Sequence, residues 1–158
     1  MNKKYFFSVS FMIFIIPTVG LITEHISQNA FLTFDLFAKW FIFSAVGLRL
    51  FVAGIRQASK PCFTAKEIFK IDNSESFPVV RELGFANICF GLVGLVSFCK
   101  PEWRVVSAFA SGVYFAFTAL LHIVRKPSGA NEIFALCTDL IIFGVLLTYF
   151  ITTIYFFS

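Results

Sequence analysis

The sequence predicts an all-α polytopic membrane protein, a four-helix transmembrane bundle plus an N-terminal transmembrane helix. Three observations lead there. Of 158 residues, 58% are hydrophobic and only 14% are charged, and a soluble domain of this size has too little interior to bury that share. Apolar runs of about 20 residues recur, the length that crosses a hydrocarbon core near 30 Å. The runs do not alternate between polar and apolar positions, so helices rather than a closed barrel must satisfy the backbone in lipid.

Five spans follow in order within a single integral membrane domain, residues 1–158. The first covers about residues 5–23, with Pro17 as the expected kink. It follows Lys3 and Lys4 as a signal peptide would, but it is longer than a usual h-region and no A-x-A site follows. The second covers about 33–56, the third 78–99, the fourth 102–125 and the fifth 131–157. The longest connection is 57–77, which contains "TAKE" (Thr64 to Glu67), a capping-box pattern. Ile68, Phe69 and Ile71 after it, interleaved with Lys66 and Lys70, suit a short amphipathic helix on the membrane surface or an ordinary structured loop. Cys62, Cys89, Cys99 and Cys137 have neither C-x-x-C nor metal-ligand spacing and read as small packing residues.

Loop charges set the expected orientation. The side holding the amino terminus and the 57–77 and fourth-to-fifth connections carries nine Lys and Arg against three on the other. That excess puts the amino terminus in the cytoplasm and the carboxyl terminus outside. Trp40 and Trp103 then fall near the outer interface. The net charge of +4 is explained by these loops and calls for no nucleic acid.

The stretch "RELGFANICFGLVGLVS", Arg81 to Ser97, opens an apolar helix with a charge pair and an amide. Such groups are costly in lipid and normally face one another or a cavity. Arg49, Glu82, Asn87, His122, Glu132 and Asp139 all fall in the cytoplasmic half of four different spans, and no comparable set is expected in the outer half. Arg49 and Asp139 each lie about 10 Å inside a helix end, by the rise of a helix, and have opposite charge, so they are the expected pair. Glu82 and Glu132 sit in first turns, where the helix dipole favours an anion. Gly84, Asn87, Gly91 and Gly94 share one face of the third span, and Gly112, Phe115, Ala119 and His122 one face of the fourth. Small residues at such spacing let backbones approach closely, which turns Asn87 and His122 inward.

These six residues leave three readings open. They form a satisfied network that fixes helix register, or a ligand or proton site, or a metal site. The last lacks any H-x-x-H, H-E-x-x-H or E-x-x-H spacing. In the ligand reading the pocket opens to the cytoplasm and takes a small anionic or zwitterionic molecule, a quinone headgroup or a proton. Arg49 holds an anion or neutralises Asp139, Asn87 and Glu82 orient the ligand, and His122 exchanges protons near neutral pH. In the alternative reading the chain is a structural or accessory subunit of a membrane partner or of its own oligomer. Nucleophile motifs, phosphate loops and cofactor fingerprints do not occur, so an enzyme is the least supported class.

The segments "RELGFANICFGLVGLVS", "EWRVVSAFASGVYFAFTALLHI" and "NEIFALCTDL" resemble a family of small bacterial integral membrane proteins with no assigned function. That resemblance implies the bacterial cytoplasmic membrane and supplies no activity. In size and helix layout the chain more loosely resembles DoxX-like membrane proteins, some of which accompany quinone-linked oxidoreductases.

Overall fold

The computed structural model describes residues 2–127 and 129–157. Among them five helices are long and apolar enough to cross a membrane: α1 (Lys3–Gln28), α2 (Phe34–Ser59), α3 (Phe77–Val96), α4 (Glu102–Arg125) and α5 (Ala130–Phe157). Helix ends match the expected spans to within a few residues, because local chemistry sets them. The Asn2 side chain accepts from the Tyr5 amide at 3.1 Å and the Thr33 hydroxyl from the Leu36 amide at 3.1 Å, each satisfying an orphan donor of a first turn. Asn29 and Lys126, at φ of 49° and 55°, end α1 and α4 in the left-handed region.

Two helices widen locally. In α1 the segment Phe11–Ile15 is π-type, and the Ile16 amide donates to the Phe11 carbonyl five residues back. Pro17 follows at once. Its ring clashes with the carbonyl four residues before and it has no N–H to give, so the turn opens instead of bending sharply. In α2 the segment Ile42–Leu48 is widened in the same way and ends immediately before Arg49.

α2 is the central element. It meets α3 backbone to backbone through Gly47 and Gly54 on one side and Gly84, Gly91 and Gly94 on the other. A Cβ on Gly91 would lie 2.5 Å from the Phe51 nitrogen, and one on Gly54 2.5 Å from the Gly84 carbonyl oxygen. The expected small-residue face of α3 is therefore a helix seam. α4 packs on α5 around Phe115, Ile142 and Leu146, all buried. α1 lies on the periphery, as expected, but its inner face is part of the interior. Val9 and Ile13 are buried, and Ser44 of α2 donates to the Met12 carbonyl at 2.5 Å.

The connection after α2 differs from expectation at its capping box. The Ala65 amide already donates to the Pro61 carbonyl, so the helix begins before Thr64 and "TAKE" is helix interior rather than a capping box. Pro61, Thr64, Ala65 and Ile68 form its buried face, whereas Lys66 and Glu67 point outward. That face packs against α3 and α5. The four cysteines also depart from the packing role expected of them, since all are free and exposed on the outer faces of the bundle.

Candidate functional site

At the end of the bundle that carries the 57–77 connection, the helices enclose a cavity of about 270 Å³. All five helices and the short loop helix contribute to its wall. Arg49 enters it from the first normal turn after the widened segment of α2. Its Nη2 donates to Asp139 Oδ1 at 2.8 Å and to Thr138 Oγ1 at 3.2 Å. Both partners come from α5, and both members of the ion pair are about nine-tenths buried. The guanidinium also lies over the Phe115 ring, 5.1 Å from its centroid. The other terminal nitrogen, Nη1, is buried and has no hydrogen-bond partner among the described residues. The Tyr5 side chain stands beside the guanidinium.

Asn87 reaches the cavity from the seam side of α3 and donates through Nδ2 to Gln57 Oε1 at 2.6 Å. Its own Oδ1 is buried and has no hydrogen-bond partner among the described residues. His122, one turn from the end of α4, lines the same space. Its Nδ1 is buried, has no hydrogen-bond partner among the described residues, and lies 3.6 Å from Glu132 Oε1, beyond hydrogen-bond reach but close enough for an ion pair once the ring is protonated. Glu132 is itself buried and stands behind His122, away from the cavity wall.

Four of the six residues singled out from sequence, Arg49, Asn87, His122 and Asp139, thus share one cavity. Glu132 touches it through His122. Glu82 does not join them: it is exposed on α3 and points away from the wall. Glu82 lies in the second turn of that helix rather than the first, on a face turned outward because the glycine seam commits the opposite face to α2. Asn131 serves the fold, accepting the Asn2 amide at 2.9 Å.

Residues 5–156 match DUF6790, a family of unknown function. The chain belongs to that family. No curated protein and no solved structure matches it, and the looser resemblance to DoxX-like proteins gains no support. Every wall residue of the cavity in this DUF6790 protein lies inside the matched span.

Sequence reasoning missed several wall residues. Gln57 lies eight positions after Arg49, on the same helical face, and that spacing was a usable signal. Tyr114 adjoins Phe115 on α4. Tyr5, Ser8 and Met12 belong to the first span, which the sequence presents only as an addition to the four-helix bundle. Phe63, Thr64, Ile68 and Phe69 of the loop segment line the cavity as well. Arg125 Nη2 donates to the Phe69 carbonyl at 2.5 Å, and the Arg56 guanidinium lies 4.0 Å from the Phe63 ring centroid.

The far end of this DUF6790 bundle also holds buried polar groups, contrary to the expectation that only one half would. Arg104 Nη1 donates to Asp35 Oδ2 at 2.6 Å and Tyr149 Oη to Asp35 Oδ1 at 2.8 Å, joining α2, α4 and α5. Glu24 accepts from Lys39 at 2.7 Å and from Trp40 Nε1 at 2.8 Å, fixing α1 to α2. These groups satisfy one another and enclose no cavity with a polar wall. Among the described residues no three His, Cys, Asp or Glu side chains converge as a metal site would require.

Proposed function

We propose that this protein binds a small amphipathic molecule in the cavity between its helices, with the polar head inward against Arg49, Asn87 and His122. One observation carries the reading. Three buried polar atoms, Arg49 Nη1, Asn87 Oδ1 and His122 Nδ1, have no hydrogen-bond partner among the described residues, and their side chains all line the same space. Leaving a buried polar atom unpaired costs roughly 1–3 kcal/mol each, so a partner there is worth having. The rest of the wall is aromatic and aliphatic, with Tyr5, Phe63, Phe69, Tyr114, Leu83 and Leu121 among its members. A mostly apolar wall with a few convergent polar groups is the usual make-up of a small-molecule site. A dry cavity of about 150 Å³ already admits a benzene ring, so one ring with a hydroxyl, carbonyl or quinone-type head suits the volume.

The basic excess at the same end makes the cavity cytoplasmic in this reading. The competing reading, helix glue, draws on the Arg49–Asp139–Thr138 contacts, which are complete in themselves. It leaves the three orphaned atoms without a reason. Calorimetry of the detergent-solubilised protein with benzyl alcohol, indole and a short-chain quinone separates the two. Binding of at least one, lost in Ala53→Phe, which fills the space from the α2 wall, supports the site. No heat from any of them, or equal binding by the filled variant, leaves helix glue.

A further inference from the structure

Charge accounting narrows the ligand class. The cavity sits within helices that read as membrane spans, and a low-dielectric site disfavours any net charge. Arg49 is cancelled by Asp139. Two other groups, of opposite formal charge, lie on α2 and α5: Arg56 on the wall and Glu132 behind His122. On α4 and the loop helix, Arg125 is bound to the Phe69 carbonyl and Glu67 accepts from Asn131. Lys66 pairs with Asp72. On α3 Arg81 and Glu82 are exposed and off the wall, and α1 brings only the Tyr5 phenol. The empty cavity is therefore close to neutral.

Two features of that neutral site are unused. Arg49 Nη1 is a charged donor, and a charged donor is best met by an anionic acceptor, in a bond about twice as strong as a neutral one. His122 is the one wall group whose kind changes charge near neutral pH, and Glu132 at 3.6 Å is already in place to hold it as a cation. An anion alone would leave the site with a net negative charge. An anion accompanied by a proton on His122 would not.

We propose that the ligand is a monocarboxylic acid with a compact apolar body, bound as its carboxylate together with one proton on His122. This rests on the binding reading above. The carboxylate accepts from Arg49 Nη1, the proton comes from solution to the imidazole, and the His122–Glu132 pair closes into an ion pair. No covalent bond is made or broken. The apolar body fills the space between Leu83, Leu121 and the tyrosine rings.

The test uses the full chain in detergent with benzoate and its uncharged relative benzyl alcohol. Calorimetry in two buffers of different ionisation enthalpy counts the protons taken up. Benzoate should bind with uptake of about one proton, as charge balance demands, and benzyl alcohol with none. Benzoate affinity should fall as pH rises from about 6 to about 8, by at most about tenfold per unit. The sign follows because benzoate stays ionised throughout while protonated His122 becomes scarcer. Isotope-edited infrared spectroscopy of bound carboxyl-labelled benzoate should show the ionised form, and His122→Gln should abolish the proton uptake. Uptake that persists in His122→Gln, or a protonated bound carboxyl in the wild type, means that the neutral acid binds and overturns the proposal. So does benzoate binding without proton uptake. If benzyl alcohol binds and benzoate does not, the cavity is a site but not for an acid. If neither binds, the proposal falls together with the binding reading beneath it.

Discussion

Arg49 Nη2 and Asp139 Oδ1 lie 2.8 Å apart across 90 residues of sequence, and the pair joins α2 to α5 at membrane depth. Both side chains are about nine-tenths buried. Removing one partner strands the other, and a loss of about 3–5 kcal/mol is typical for a broken buried pair. Asp139→Asn and Arg49→Gln should each lower the melting temperature in detergent markedly. The double variant should lose less than the sum of the two, because the stranded charge is gone. Additive losses would show that the two groups do not couple.

The Asp35–Arg104 pair at the far end should respond unequally. Arg104 is buried, with 8% of its side chain exposed, whereas Asp35 is 58% exposed. Arg104→Gln leaves a carboxylate that water can solvate and that still accepts from Tyr149. Asp35→Asn leaves a buried guanidinium whose remaining contact is the Ser97 carbonyl at 3.3 Å. Asp35→Asn should therefore be the more destabilising of the two in thermal melts. Equal losses would mean that burial does not set the cost.

Glycine positions on α3 and α5 should separate seam from surface. A Cβ at Gly91 meets the Phe51 backbone at 2.5 Å, and backbone on both sides leaves nothing flexible to move. Gly91→Ala should push α3 off α2 and cost on the order of 1–3 kcal/mol, as overpacking does. At Gly144 a Cβ meets nothing within 4 Å. Gly144→Ala should be neutral or stabilising by up to about 1 kcal/mol, since alanine favours the helix. The two melting curves check this side by side, and a tolerated Gly91→Ala would rule out the close seam.

How much of this was legible in the sequence depends on what each residue's partner is. The spans were readable because length and hydropathy are local properties of the chain. Arg49 and Asp139 were readable because opposite charges at equal depth have few other solutions. Glu82 was misread because position near a helix start says nothing about which face a helix buries; the glycines decide that, and their partners Gly47 and Gly54 are on another helix. Arg104 was passed over because it stands near a span end, where a loop charge looks the same as a buried one. Tyr5 and the loop helix reach the cavity through tertiary packing alone, and no periodicity in the sequence announces that.

Two exposed cysteines at opposite ends of the bundle report the orientation. Cys62 lies in the connection after α2 and Cys99 in the turn before α4. With Cys89 and Cys137 replaced by serine, a membrane-impermeant maleimide should reach Cys99 from outside intact cells. Cys62 should react only after the cells are opened, given the excess of lysine and arginine on its side. The opposite pattern would invert the protein and move the cavity to the outer leaflet.

The loop helix should act as a cover whose opening is measurable. Thr64 and Ile68 of this helix line the cavity, and Arg125 holds its far end by a hydrogen bond to the Phe69 carbonyl, backed by the Phe69 ring 5.5 Å from the guanidinium. The residue after it, Lys70, has a φ of 57°, in the left-handed region, which gives the chain a sharp turn there. Arg125 is exposed, so the bond competes with water and is worth roughly 1 kcal/mol. Arg125→Gln should then raise the open population about fivefold while leaving the five helices intact. The readout is the rate at which a thiol reagent reaches a cysteine placed on the inner wall by Ala135→Cys, in a background whose native cysteines are serine. Ala135 is 5% exposed, so the reagent must enter through the cavity. A several-fold faster reaction with an unchanged melting temperature marks the segment as a cover. An unchanged rate would mean that the mouth is reached by another route, between the helices from the lipid.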